Sequence, residues 1–395
     1  MKMWVYIIRR ISLLVPVIIG VMTITFVLTS LLPVGDRLIS SFGYAKVGYK
    51  PYVPCDQVGF ANQTGLCKNP AYWGGLHKLG LDQPIWTQYF TYVYNSLTLN
   101  WGYTAPNGQE FAVIGHDALP VAQVLGWFLP FTLELAALSL AIILLLAVPI
   151  GNYSAVYRNR PLDQGARILS FSGFALPGYI LAWLVLLGVT FAAGGITPSC
   201  NGTSTPFFEF SGSWPKDSCF PGGVHPSWIG THLESSPTGF PTIDSIIHGD
   251  WYLAGDTVFR MLLPAFVIAY GSIAAILRFV RNSMLEVLNL DFVRTARAKG
   301  VLESTVVRKH AGRNSLNVTV TVLGLTFAGF IGGFPIIESV FNLRGVGLLL
   351  ALSIQPPFDF GLIFGSTLLF TIIVVIANII VDIVYAYLDP RVRLG

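Results

Sequence analysis

Charged side chains are scarce in this sequence. Asp, Glu, Lys and Arg make up 11% of its 395 residues, against about 25% in an ordinary soluble domain. With 53% hydrophobic residues and a mean hydropathy of +0.64, that shortage excludes a water-soluble globule. Several chemical signatures are missing too. No Gly-x-x-x-x-Gly-Lys-Ser/Thr loop occurs, so no P-loop is present whose backbone amides could cradle nucleotide phosphates. His-Glu-x-x-His and Gly-x-Ser-x-Gly are also absent, which removes the common hydrolase signatures. His77, His116, His225, His232 and His248 are scattered without ligand spacing, and no close Cys-x-x-Cys pair suggests zinc. The expectation is a non-catalytic chain with no metal, no cofactor of its own and no nucleic-acid partner.

What is abundant is uninterrupted apolar sequence. Six stretches are long enough to cross a bilayer, which takes roughly 20 residues in a helix: Ile11–Leu32, Leu129–Ile150, Ile168–Ala192, Phe259–Val280, Val318–Ile337 and Leu362–Tyr385. They are continuously apolar where barrel strands would alternate, so the expected fold is an all-α polytopic membrane protein with six transmembrane helices. The first stretch exceeds a signal-peptide core and ends in Leu-Leu-Pro without a small-residue cleavage site, which reads as a retained span.

Positive charge sets the orientation, because retained loops are rich in Lys and Arg. With both termini inside, the inner segments and inner helix ends hold sixteen of the 24 Lys and Arg, and the much longer outer segments hold eight. The expectation is a multi-pass protein of the cell membrane with cytoplasmic N- and C-termini. Three regions follow: residues 1–32, an outer insert at 33–128, and a membrane core at 129–395. The core carries a second outer insert at 193–258 and an inner loop at 291–317.

Both inserts are rich in Gly, Pro, Tyr and Trp, lack a long helical period and read as ordered caps. All four cysteines lie in them. An even count outside suggests disulfides, most simply Cys55–Cys67 and Cys200–Cys219, although four cysteines allow three pairings.

Some residues break the apolar rule within the spans. Pro177 and Gly178 interrupt the third, as neighbouring helices can permit. Gly324, Ala328, Gly329, Gly332 and Gly333 give the fifth a small-residue face, suited to tight packing or to a mobile seam along a path. Glu134, Asn378 and Asp382 should face protein and not lipid. They serve either structure, with Asp382 reaching Arg278 or Arg281, or proton coupling and substrate contact.

One wet, basic stretch stands between two of the greasiest spans. Asp291–Thr319 carries six Lys or Arg against two acids, a balance of +4. Arg294, Arg297 and Lys299 fall on an amphipathic turn that breaks at Gly300. Glu303–Ala311 then reads as a short helix with Leu302, Val306 and His310 on one face. Glu303 near its start and Arg308–Lys309 near its end suit the helix dipole. A helix so short is marginal alone. Positive charge could merely meet anionic lipid, but the glycine break and apolar face point to docking on a partner.

The same residues carry a resemblance. "FVRTARAKGV" followed by "RKHAGRNSLNVTVTVLGL" resembles the cytoplasmic Glu-Ala-Ala loop of binding-protein-dependent ABC importer permeases, in its dipeptide/oligopeptide version. "LGLDQPIWTQY" with "WGYT", "LPFTLELA", "ESVFNLRGVGLLL" and "DIVYAYLDPRVRLG" match in the same order. The resemblance implies a type I ABC importer transmembrane domain. Arg294, Thr295 and Ala296 stand where the loop has Glu-Ala-Ala, and Gly300 is its glycine. It implies coupling helices seated on one or two cytoplasmic ATPase subunits, which use ATP and Mg, with a second homologous permease and an extracytoplasmic solute-binding protein as further partners. Alternating access would run past Pro177, Gly178, Gly329 and Gly333, with Glu338, Phe341, Gly345 and Gly347 near the outer gate. The cargo expected is di- and oligopeptides, with oligosaccharide or nickel as alternatives. An ion-coupled carrier or channel using Glu134 or Asp382 as relay is the reading from another class.

Overall fold

The computed structural model describes residues 3–42, 50–58, 65–105, 119–192, 238–312, 314–315, 326, 330, 334–356 and 358–388. They are almost entirely helical: α1 (Met3–Ser30), α2 (Val34–Phe42), α3 (Pro70–Lys78), α4 (Ile85–Leu97), α5 (Val121–Val156), α6 (Pro161–Ala175), α7 (Gly178–Ala192), α8 (Pro241–Ile247), α9 (Trp251–Leu288), α10 (Asp291–Ala298), α11 (Glu303–Thr305 continuing through Val306–Ala311), α12 (Val346–Ser353) and α13 (Phe360–Leu388). The chain divides into two compact units. One comprises Met1–Ile11, Pro130–Arg344 and Val374–Gly395; the other comprises Ser12–Leu129 and Gly345–Ile373.

Among the described residues, Val121–Val156, Trp251–Leu288 and Phe360–Ile383 are long and apolar enough to cross a membrane. They cover the second, fourth and sixth expected spans. The third is a broken segment, because Pro161–Gly173 and Gly178–Val189 meet at 109°, at the Pro177 foreseen as an interruption. The first is apolar over Val15–Ser30. Most of the fifth, with Gly329 and Gly333, lies outside the described residues. The helices also overrun their apolar stretches. α9 starts at Trp251, where Asp250 caps it by accepting from the Leu253 amide at 3.0 Å, and it runs on to Leu288. Hydropathy marks the part of a helix that lipid touches; caps mark where the helix ends.

In the first unit, α5 and α6 dock on α9 through glycines. A Cβ at Gly151 would lie 2.9 Å from Val280 Cβ. One at Gly173 would meet Ala274 Cβ far inside van der Waals contact. Such small residues let helix backbones approach closely. Gly173→Ala should therefore lower the melting temperature of the purified protein, at a cost of about 1–3 kcal/mol. Gly188→Ala on α7, where a Cβ meets nothing within 4 Å, should not. Equal melting of the two variants would refute the close approach.

The second unit holds the first insert, which has more helix than its sequence suggested. Strand β1 (Tyr52–Pro54) pairs antiparallel with β2 (Leu66–Lys68), Val53 opposite Cys67, and the Cys55–Cys67 disulfide fastens them. Cys200–Cys219 lies outside the described residues. α4 was not foreseen. It leans on α1 through Phe26, whose ring centroid is 5.3 Å from that of Tyr89 and 5.7 Å from that of Tyr92. A 2.8 Å hydrogen bond joins Thr23 Oγ1 and Tyr89 Oη. Buried Asp359 caps α13, accepting from the Leu362 amide at 2.9 Å, and also accepts from the Ala105 amide at 2.5 Å.

Candidate functional site

The basic stretch folds as a helical hairpin at the end of α9. α9 outruns its apolar stretch, so Met284 and Val287 lie beyond the lipid-facing part. They form a buried cluster with Ala155 of α5 and Ala311 of α11, joined by Leu285, Leu288 and Val307. A second cluster, Val293, Ala296 and Val306, packs with Leu288 and Val301. Leu288 belongs to both, which ties α10 and α11 to the same root.

α10 ends where the sequence demanded. The Gly300 amide donates to the Arg297 carbonyl at 2.9 Å and the Val301 amide to the Ala296 carbonyl at 3.2 Å. These are the two bonds of a Schellman cap, and Val301 supplies its hydrophobic contact. Gly300 has φ +77°, yet a Cβ there would meet nothing within 4 Å. The position needs glycine for its backbone conformation, not for space.

α11 departs from the expected helix. After one α turn the segment Val306–Ala311 winds as a π-helix. The expected face of Leu302, Val306 and His310 does not form: Val306 is fully buried, His310 is half-buried and Leu302 is 75% exposed. With i→i+5 bonding, residues five apart share a side, so Val306 and Ala311 turn inward together. The helical template of 3.6 residues per turn chose the wrong companions for Val306.

An ion pair bridges the turn. Arg297 donates from Nη2 to Glu303 Oε1 at 2.6 Å and from Nε to Oε2 at 3.1 Å. That bond holds the Glu303 carboxyl below its usual range and raises the Arg297 guanidinium above its own. Both groups are solvent-exposed, so the pair fixes geometry more than it adds stability. The hairpin then presents Phe292, Arg294, Thr295, Lys299 and Leu302 to the outside, and buries Ala296.

The root rests on a network that the sequence did not disclose. Asp163, in the first turn of α6, is fully buried. Its carboxylate accepts from Ser154 Oγ at 2.5 Å, the Asn159 amide at 3.0 Å, Arg167 Nη2 at 2.8 Å and Arg281 Nε at 2.7 Å. Asn159 takes the left-handed conformation, φ 67°, that the α5–α6 turn needs. Asp163 thereby locks the end of α5, beside Ala155, to α9 below Met284. Pro161 and Asp163 could have been read as a helix start; a partner 118 residues away could not.

The remaining candidates scatter. Arg281, offered above as a partner for Asp382, gives its guanidinium to Asp163 instead, because that carboxylate is wholly enclosed. Asn378 and Asp382 sit half-buried one turn apart on α13. Glu134 accepts from the Thr242 amide at 3.1 Å, and Gly239 abuts Pro130 beside it, so this carboxylate anchors the returning end of the second insert. Pro177 and Gly178 are exposed at the α6–α7 bend. Glu338 is buried and accepts from Thr132 Oγ1 at 2.9 Å; Phe341 is buried near it in sequence. Gly345 and Gly347, both buried, open α12.

Residues 147–394 match the family described as the binding-protein-dependent transport system inner membrane component, a span that includes the whole hairpin. The chain is 30% identical to the di/tripeptide transport system permease protein DppB of Pseudomonas aeruginosa (strain UCBPP-PA14), over 98% of each sequence. It is 29% identical to the oligopeptide transport system permease protein AppB of Bacillus subtilis (strain 168), over 98% of this chain and 99% of that one. It is 28% identical to the dipeptide transport system permease protein DppB of Escherichia coli (strain K12), over 98% of each. With a basic hairpin rooted on long apolar helices and a family match over most of its length, this chain belongs to the inner membrane components of binding-protein-dependent transport systems.

Proposed function

We propose that the chain is the permease subunit of an ATP-driven importer of di- and oligopeptides. The observation that carries this is the hairpin. Its two helices are held by buried clusters, a Schellman cap and an ion pair, while the exposed tip offers Phe292, Leu302, Arg294 and Lys299 to another surface. Phe292 and Leu302 are both exposed on a hairpin that also exposes Arg294 and Lys299, and apolar surface rimmed by charge supports a docking element. Separate cytoplasmic ATPase subunits, one kind or two, supply ATP hydrolysis with Mg, and this chain performs none. A second permease of the same family completes the path, and an extracytoplasmic binding protein delivers cargo. Peptide cargo is supported by the relatives, all named for peptide systems and aligned over nearly their whole length.

Force applied at the tip would pass through Leu288 into α9 and, through Asp163, into α5. The helical segment 334–340 is tied to α5 by Glu338 and Thr132, which makes it the candidate gate. In this reading the termini and hairpin face the cytoplasm and the inserts face outside, which the excess of Lys and Arg on the inner segments supports.

In proteoliposomes of the assembled transporter, Leu302→Asp should weaken ATPase stimulation by loaded binding protein at least about tenfold, because it puts a charge where an apolar contact forms. Insertion and melting temperature should stay unchanged, since Leu302 lies outside both buried clusters. Undiminished stimulation would remove the docking role. Uptake of a labelled tripeptide against maltotriose by the wild type tests the cargo separately.

A further inference from the structure

Part of the first insert is uncharged over a length foreign to a cap that stands in water. From Gln83 to Gln109 the sequence has no Asp, Glu, Lys, Arg or His, where an ordinary soluble domain would make about a quarter of its residues charged. α4 lies wholly within this stretch. Tyr89 and Tyr92 pack on Phe26, while Trp86, Phe90, Tyr94 and Leu97 are 66–73% exposed. The spacing of four, four and three residues makes these four one helical stripe.

The first turns of α13 belong to the same unit and set the depth of α4. The apolar length of α13, Phe360–Ile383, is 24 residues. It measures about 36 Å against a hydrocarbon core of about 30 Å, so its first turns reach the headgroup layer. The chain leaving α4 is seated on those turns. A Cβ at Gly361 would lie 2.9 Å from the Tyr103 carbonyl oxygen, and one at Gly365 would lie 3.2 Å from the Trp101 ring. Trp101 Nε1 in turn donates to the Ser96 carbonyl, in the last turn of α4, at 3.0 Å. The end of α4 is thereby fixed where headgroups give way to acyl chains.

We propose that α4 is an interfacial membrane anchor, with Trp86, Phe90, Tyr94 and Leu97 inserted in the lipid leaflet on the side of the first insert. Phe90 and Leu97 enter the acyl region. The Trp86 indole N–H and the Tyr94 hydroxyl stay at the ester and headgroup oxygens, the level at which such side chains accumulate. Neutral lipid suffices, because the stripe offers no charge to an anionic headgroup. A soluble partner protein fits less well, since the stripe would stand bare in water whenever that partner left. The anchor is independent of what the chain transports.

The test uses the full transporter in phosphatidylcholine nanodiscs. Trp86→Cys, Phe90→Cys, Tyr94→Cys and Leu97→Cys are made one at a time and carry a nitroxide spin label. His77→Cys is the water-facing reference, because the His77 side chain is 80% exposed beside Asp82. Oxygen dissolves in lipid, whereas a polar nickel chelate is excluded from it. The oxygen-to-nickel collision ratio should be at least about fivefold higher at Phe90→Cys and Leu97→Cys than at the reference. It should not change when phosphatidylglycerol replaces half of the lipid. A ratio equal to the reference would put the stripe in water. Immobilised labels reached by neither agent would put it against a second permease or a binding protein. A ratio that rises only with phosphatidylglycerol would make the contact electrostatic. Each of these three results overturns the proposal. In unlabelled protein, phosphatidylcholine brominated in its upper acyl chain should quench tryptophan fluorescence more in the wild type than in W86F. Equal quenching would overturn the proposal even if the labelled chains do not assemble.

Discussion

Asp163→Ala should destabilise the protein by about 3–5 kcal/mol, the loss usual when one partner of a buried ion pair is removed. Asp163 is fully enclosed and satisfies four groups at once: a serine hydroxyl, a backbone amide and two guanidinium groups. Without it Arg281, whose side chain is only 14% exposed, keeps a charge with too little water around it. The Asn159 amide and Ser154 hydroxyl also lose their acceptor, each at about 1–3 kcal/mol if left dry. The measurement is thermal unfolding of the purified protein, with Asp163→Asn as the isosteric step and D163L/R281M as the paired replacement. Taking both charges out should recover part of the loss, since an apolar pair can replace a buried ion pair at little net cost. If D163A melts with the wild type, or D163L/R281M is no better than D163L alone, the network is not what joins α5 to α9.

This network also marks where sequence reasoning stops. Local and periodic features were legible. The apolar stretches gave the helices in the described membrane part, because lipid contact imposes length and composition on a span. The break at Gly300 was readable from a glycine between two amphipathic turns, and the Cys55–Cys67 pairing from proximity. Non-local choices were not. Nothing in "RPLDQ" announces that its carboxylate faces Arg281, and Arg281 was as plausible a partner for Asp382. The π turn escaped because Val306 is five residues from Ala311, a spacing that no α-helical template groups. α4 escaped for another reason. Its more apolar face, with Trp86, Phe90, Tyr94 and Leu97, is the exposed one, the reverse of the pattern by which an amphipathic helix is usually placed against a core. The tight glycines were equally hidden, since Gly173 and Gly188 look alike in sequence and only packing on α9 tells them apart.

Gly300→Val should leave the chain inserted and assembled but uncouple it. A residue with a Cβ pays about 1–2 kcal/mol to hold the left-handed region, and a β-branched one pays more. The alternative is to unwind the cap, which pulls Val301 from Val293 and Ala296 and shifts Val306 behind it. Among the described residues, two small clusters and the exposed Arg297–Glu303 pair tie the two helices of the hairpin together. A loss of about 2 kcal/mol then lowers the population of the docked form roughly thirtyfold. The graded series identifies the cause. Space around Gly300 is open, so size should not order the variants. Asn, which tolerates the left-handed region, should retain more ATPase stimulation than the smaller Ala, and Ala more than Val. A ranking by volume, with Asn below Ala, would mean that a partner surface presses on this position. Wild-type stimulation by Val would mean that the cap does not shape the coupling element, and force would have to enter through another part of the inner surface.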